Sequence, residues 1–207
     1  MQKGLLLNKK GTKLIWAVPA KNKITVPDSV TSIADNALKA GKATSVYLGK
    51  KVKMIGKDAI AGKKITKVSI AKKNKSIAKQ GQCVYEKKSG KLLIAIAKKN
   101  VVKIGNKVKL ISEDASLCGS RQLKKLDIGA SVKTLQGAWG EFYRAGYVTT
   151  KVYFRSKNPP KLTQNNDKNY CYLPIFRDVY VPKASLKKYK KWYKKNDALQ
   201  FARIKTF

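Results

Sequence analysis

A spacing of 22 residues between apolar positions constrains what this chain can fold into. Val26, Val30, Ile33 and Ala37 fall on Leu48, Val52, Ile55 and Ala59 when the chain is slid along itself by that amount (48 − 26 = 22; 59 − 37 = 22). Ile65, Val68 and Ile70 open a third copy at the same step (70 − 48 = 22). Val102, Ile104, Val108, Ile111 and Ala115 form a fourth, and Leu123, Leu126, Ile128, Val132 and Leu135 a fifth. Val152-x-Phe154 and Val179-x-Val181 read as degenerate later copies. Repeats of this length are the mark of stacked architectures, in which no unit closes its own core.

A longer period overlies the short one. Leu5 to Ala37 aligns without a gap on Cys83 to Ala115, a shift of 78 (115 − 37 = 78). Each block opens on a hairpin pattern: Leu5–Leu7 and Leu14–Val18 about Gly11, then Val84–Tyr85 and Leu92–Ile96 about Ser89-Gly90. Apolar runs on either side of a lysine-glycine turn predict antiparallel pairs.

Within a copy, alternate residues such as Val46 and Leu48 face one side of a strand, and Val52 and Ile55 follow on a second short extended segment. The apolar groups of one copy offset less than ordering its backbone costs, so copies are expected to stack and share a core. That stacking should set Val26, Leu48, Ile70, Ile104 and Ile128 on neighbouring rungs of one shared sheet. Asp35, Asp58, Glu113 and Asp114 precede the repeat alanine by one or two positions. Four of eleven carboxylates in that place predict capping of a short helical turn.

The expected fold is α/β and strand-dominated: one solenoid domain over residues 1–207, with parallel strands on one face. Hairpin arms occupy 1–22 and 82–100, repeats 23–155, and a degenerate repeat with a capping helix 156–207.

This pattern resembles the BspA-like leucine-rich repeats of bacterial surface proteins. The resemblance rests on Ile24-x-Val26-Pro27-Asp28-Ser29-Val30-Thr31-Ser32-Ile33-Ala34-Asp35-Asn36-Ala37-Leu38, on the hairpin from Gly4 to Ile15, and on Asn158-Pro159-Pro160 with Val179 to Tyr189 near the end. Leu38, Ile60 and Ser116 stand where that family carries an aromatic ring, and no asparagine ladder is expected. The resemblance implies a solenoid at the cell surface or secreted, although no signal peptide is visible and Leu14 to Ala20 reads as a strand.

Charge narrows the class of partner. With 47 Lys+Arg against 11 Asp+Glu the formal charge is +36, so the chain attracts polyanions: nucleic acid, anionic polymers, acidic glycans, anionic membranes. No run of about 18 apolar residues is present, so no spanning helix is expected. Cys83, Cys118 and Cys171 are too few and too scattered for a disulfide framework or a zinc site, and are expected to be free and packed.

Catalysis finds little support. The chain has no histidine, which removes the commonest general base and metal ligand. Gly56 to Lys64 glances at a phosphate-binding loop but has five residues between its glycines and Lys64 in place of the hydroxyl. No enzyme activity, cofactor or metal is expected.

The strand face opposite the core is the candidate binding surface. Tyr47, Lys67, Ser69, Lys103, Lys125, Asp127, Lys151 and Tyr153 are its outward positions, and lysines interleaved with tyrosines suit sugar, phosphate or base stacking. The plain alternative is a solvated face that is lysine-rich because the whole chain is. The expected function is a non-catalytic binding or adhesion module for a protein or glycan ligand, acidic in character. The alternatives are a charge-driven polyanion or nucleic-acid binder and a structural spacer. Ser185 to Leu199 reads as a helix that lids the end of the core, with membrane-surface binding as its alternative.

Overall fold

The computed structural model describes residues 4–18, 22–38, 42–62, 64–120, 122–137, 151–163, 177–196 and 202–207. Cys171 lies outside them. The repeats form a solenoid in which each coil lays down a longer strand, turns, and lays down a shorter one.

The longer strands stack in parallel as expected, but in two sheets rather than one. The first joins β3 (Lys23–Thr25), β5 (Ser45–Leu48) and β7 (Lys67–Ile70). The second joins β11 (Val101–Ile104), β14 (Lys125–Ile128), β16 (Lys151–Phe154), β18 (Asp178–Val181) and β19 (Arg203–Thr206). The single shared sheet is therefore corrected: Leu48 pairs with Ile70 and Ile104 with Ile128, while no strand pairing joins Ile70 to Ile104. The shorter strands stack as β4 (Ser32–Ile33) on β6 (Met54–Ile55), then β12 (Leu110–Ser112), β15 (Thr134–Gln136) and β17 (Lys161–Thr163).

What divides the stack is the second hairpin. β9 (Cys83–Glu86) and β10 (Leu92–Ile96) pair antiparallel, as β1 (Leu5–Leu7) and β2 (Lys13–Ala17) do at the start of the chain. β8 (Ile77–Gln80), which the sequence pattern did not signal, adds to the outer edge of β9. Every residue of β10 is buried. Leu92 and Ala95 belong to the downstream core with Val102 and Leu126, whereas Leu93, Ile94 and Ile96 belong to the upstream core with Ile60, Ile65 and Ile77. β10 is a wall with a core on each side, which is why its sequence is a continuous apolar run rather than an alternating one. Its other edge pairs in parallel with β13 (Ser116–Cys118).

The corners repeat as strictly as the strands. The Val52 amide donates to the Gly49 carbonyl, Val108 to Gly105 and Val132 to Gly129. A Cβ on Gly49 would sit 2.6 Å from the Pro27 carbonyl oxygen, so glycine is required there by close approach of the coil below. One rung further, the valine is replaced by Asn74 (74 − 52 = 22). This buried side chain donates to the Gly49 and Val52 carbonyls at 2.9 Å each and accepts from the Ser76 and Ile77 amides at 2.9 Å. Ser131 does the same donating work downstream, toward Val108 and Gly105.

The acid slot before the repeat alanine corrects the helical-turn expectation. Among the described residues no helix forms there. Asn36 and Asp58 instead adopt φ of 56° and 50°, the left-handed conformation that Asn and Asp tolerate better than other side chains. Asp35 Oδ1 accepts the Lys57 amide at 2.9 Å, tying one coil to the next.

At the far end, α1 (Leu186–Lys195) covers the downstream core. Tyr189 and Tyr193 are buried against it beside Phe154, and Tyr189 donates to the Ser156 carbonyl at 3.1 Å. Its apolar face is thus occupied by the solenoid, as a lid requires. Residues 197–199 of the expected helix lie outside the described residues. No helix among the described residues is long and apolar enough to cross a membrane.

Candidate functional site

The strand face is built by register. In the five-stranded sheet, inward Val102, Leu126, Val152 and Val179 stand in one row, so the residues beside them must stand in outward rows. One outward row runs Lys103, Asp127, Tyr153, Tyr180, Lys205, and the other Val101, Lys125, Lys151, Asp178, Arg203. In the three-stranded sheet the rows are Thr25, Tyr47, Ser69 and Lys23, Ser45, Lys67.

The eight expected residues are therefore divided. Tyr47, Lys67 and Ser69 lie on the upstream sheet. Lys103, Lys125, Asp127, Lys151 and Tyr153 lie together on the downstream one. Tyr47 neighbours Ser69 on the adjacent rung but stands beside no second aromatic in its row.

The downstream face is the more organised. Tyr153 and Tyr180 stack with ring centroids 4.5 Å apart and planes 8° from parallel. Their spacing is that of neighbouring strands, about 4.8 Å, so the sheet itself sets the stack. Lys125 Nζ lies 4.1 Å from the Tyr153 centroid, and Lys205 Nζ lies 5.7 Å from that of Tyr180. The Arg155 guanidinium sits 5.1 Å from Tyr153 and 4.6 Å from Phe207, bracketing the platform.

Two carboxylates hold these cations in place. Asp127 receives Arg155 in a fork, Nε to Oδ1 at 2.7 Å and Nη2 to Oδ2 at 2.8 Å. Partial burial pushes the Asp127 carboxyl up, but the Arg155 hydrogen bonds and charge outweigh it and leave the group below its ordinary value. Asp178 meets Arg203 Nε at 3.0 Å and Lys205 Nζ at 3.1 Å, and is lowered in the same way against the upward pull of its burial.

Arg155, Asp178, Tyr180, Arg203, Lys205 and Phe207 were not foreseen as part of this face. Tyr180 was within reach, since it sits between the inward Val179 and Val181 of a copy already visible. The last strand was not, because Ile204 alone carries its inward pattern.

A shallow groove of about 460 Å³ runs along the upstream edge of this sheet, lined by Gln80, Gln82, Lys98, Val101 and Lys103. Nearby, Lys79 is lowered from its usual value by burial and by the charges of Lys98 and Lys67. Among the described residues no three His, Cys, Asp or Glu side chains converge as a metal site would need. This face carries flat rings and fixed cations, and among the described residues no nucleophile is set against a base there.

Residues 18–90 match the family model of the BspA type leucine rich repeat region, in six copies. Solved structures similar to this chain include these three. A leucine rich cell surface protein from Faecalibacterium prausnitzii is 17% identical, with a TM-score of 0.44 over 87% of this chain and 52% of that one. A leucine-rich repeat protein from Eubacterium ventriosum is 15% identical, with a TM-score of 0.39 over 79% of this chain and 61% of that one. The pneumococcal vaccine antigen PcpA is 10% identical, with a TM-score of 0.22 over 93% and 81%. This chain thus spans 52% and 61% of the first two proteins' lengths. No curated protein sequence matches it.

Proposed function

We propose that this chain, whose residues 18–90 are BspA-type leucine-rich repeats, is a non-catalytic binding module of a bacterial cell surface that holds a protein or glycan ligand on its downstream strand face. The observation that carries this reading is the stacked Tyr153–Tyr180 pair with its cations fixed by Asp127 and Asp178. Rings and charges held in place before the ligand arrives lose little freedom on binding, so each contact retains more of its energy. Flat aromatic surface edged by Lys125, Arg155 and Lys205 suits a sugar ring or a planar side chain that carries an acid.

A second reading, a charge-driven polyanion binder, is favoured by the net charge of +36. One titration separates the two. Heparin, duplex DNA and a panel of surface glycans and proteins are titrated against the chain and against Tyr153→Ala and Tyr180→Ala at 50 and 200 mM salt. The proposed module retains most of its affinity for its ligand across that range and loses it in both variants. A charge binder making six to ten phosphate contacts loses roughly 10³–10⁵ in affinity and ignores the tyrosines. A spacer binds none of these probes.

A further inference from the structure

The two hairpins are the same object in two environments. Leu6, Ile15, Trp16 and Val18 of the first correspond at a shift of 78 to Val84, Leu93, Ile94 and Ile96 of the second (84 − 6 = 78; 96 − 18 = 78). The strand pairing is also equivalent, Leu6 opposite Trp16 and Val84 opposite Ile94. Their inner faces are alike: Leu14 and Ala17 are fully buried, as are Leu92 and Ala95. Their outer faces are opposite. The first hairpin leaves Leu6, Ile15, Trp16 and Val18 exposed at 44, 40, 38 and 58%, whereas the second holds Val84, Leu93, Ile94 and Ile96 at 0, 8, 0 and 2%.

The molecule itself shows what covers such a face. Val84, Ile94 and Ile96 are packed into the upstream core with Ile60, Ile65, Val68 and Ile77, which belong to the preceding block. That block also supplies β8, which pairs antiparallel with the outer edge of β9. The corresponding strand β1 ends its sheet, with no strand beyond it among the described residues. Among the described residues, both the apolar face and the hydrogen-bonding edge filled at the second hairpin are open at the first.

We propose that the outer side of the β1–β2 hairpin docks a preceding leucine-rich-repeat block, whose apolar end is like that of residues 45–80. A strand of that block adds antiparallel to β1, and its core covers Leu6, Ile15, Trp16 and Val18. A second copy of this chain offers no such end, because its own first block is closed by β9 and β10 and its last by α1. This inference is independent of the ligand-binding role of the tyrosine face.

The test is a lengthened chain in which residues 1–82 precede residues 5–207, so that Gln82 runs into Leu5 as it natively runs into Cys83. The upstream Trp16 is changed to Phe. Acrylamide quenching of the downstream Trp16, taken by difference from its own Trp16→Phe variant, is expected to fall several-fold relative to the 207-residue chain. Ile15→Ser is expected to leave the Tm of the 207-residue chain unchanged and to lower that of the lengthened chain by several degrees. Sedimentation of the 207-residue chain is expected to show a monomer. Unchanged quenching, a silent Ile15→Ser in both backgrounds, or loss of a single cooperative transition in the lengthened chain overturns the proposal. So does a dimer of the 207-residue chain that Trp16→Lys dissolves, since the occupant is then a second copy.

Discussion

The side chain of Gln82 stands in for a strand beside Lys103. Its Oε1 accepts the Lys103 backbone N–H at 2.8 Å, while its Nε2 donates to the Val101 carbonyl at 2.7 Å and to the Ile96 carbonyl at 2.8 Å. A neighbouring parallel strand would engage Val101 and Lys103 in the same alternation. The five-stranded sheet therefore ends at an amide rather than at open backbone. Gln82→Ala should lower stability by about 1 kcal/mol, since water can replace part of what a half-buried amide supplies. Hydrogen exchange at the Lys103 amide should quicken in the variant. An unchanged exchange rate there would refute this role.

Asn74 bonds four backbone groups at the last regular corner of the first block. Asn74→Ala removes this partner from the Val52 carbonyl and from the Ser76 and Ile77 amides, while the Gly49 carbonyl keeps the Val52 amide, and should cost about 2–4 kcal/mol in urea unfolding. Asn74→Val restores the residue found one and two rungs earlier, yet should cost a similar amount, because Ser76 and Ile77 still lack an acceptor. A neutral Asn74→Val would mean that the corner needs only apolar filling.

Asp127 carries a pH signature. Its carboxyl is held below the ordinary 3.8 by Arg155 against the upward effect of burial. The pair therefore stabilises fully above pH 3.8 and ceases to do so as pH falls through the lower folded value. Asp127→Asn should cost about 1 kcal/mol or less at pH 7, given how exposed Arg155 is. That difference should vanish toward pH 2 when urea midpoints of the two proteins are compared. A gap that persists at pH 2 would mean the loss is not electrostatic.

Cys83 should be inert in the native protein. Burial raises its thiol to about 11, and its relative exposure is 1%. In a Cys171→Ser background, where Cys83 and the likewise buried Cys118 remain, a thiol reagent at pH 8 should react only as fast as the protein unfolds. Because the folded value is raised, the share of stability from the neutral thiol is intact below pH 9 and declines as pH rises toward 11. Rapid labelling without unfolding would contradict this burial.

Two glycines separate steric need from conformational need. Gly49→Ala drives a Cβ to 2.6 Å from the Pro27 carbonyl oxygen and should cost about 2 kcal/mol or more, since the coils must part. Gly81→Ala has open space about it and a φ of +56°, and should cost about 1–2 kcal/mol, the strain of a left-handed alanine. Calorimetric melting that ranks Gly81→Ala as the worse change would reverse the assignment.

Repeats, hairpins, rung partners and lid helix are legible in the order of residues, because periods of 2 and 22 decide which side chains can share a core. Val46 beside Val68 follows from that spacing alone (68 − 46 = 22). Three things required the tertiary structure. The strand face is split because β10 turns both of its sides to apolar cores, and an unbroken run such as Leu92 to Ile96 does not say how many cores it serves. The acids of the turn serve backbone twist and the next coil rather than a helix end, a distinction that lies in φ and not in residue type. Finally, the stack of Tyr153 on Tyr180, 27 positions later (180 − 153 = 27), joins residues whose separation departs from the repeat. Spacing names the neighbours where copies keep their length, and only packing names them where a coil has grown.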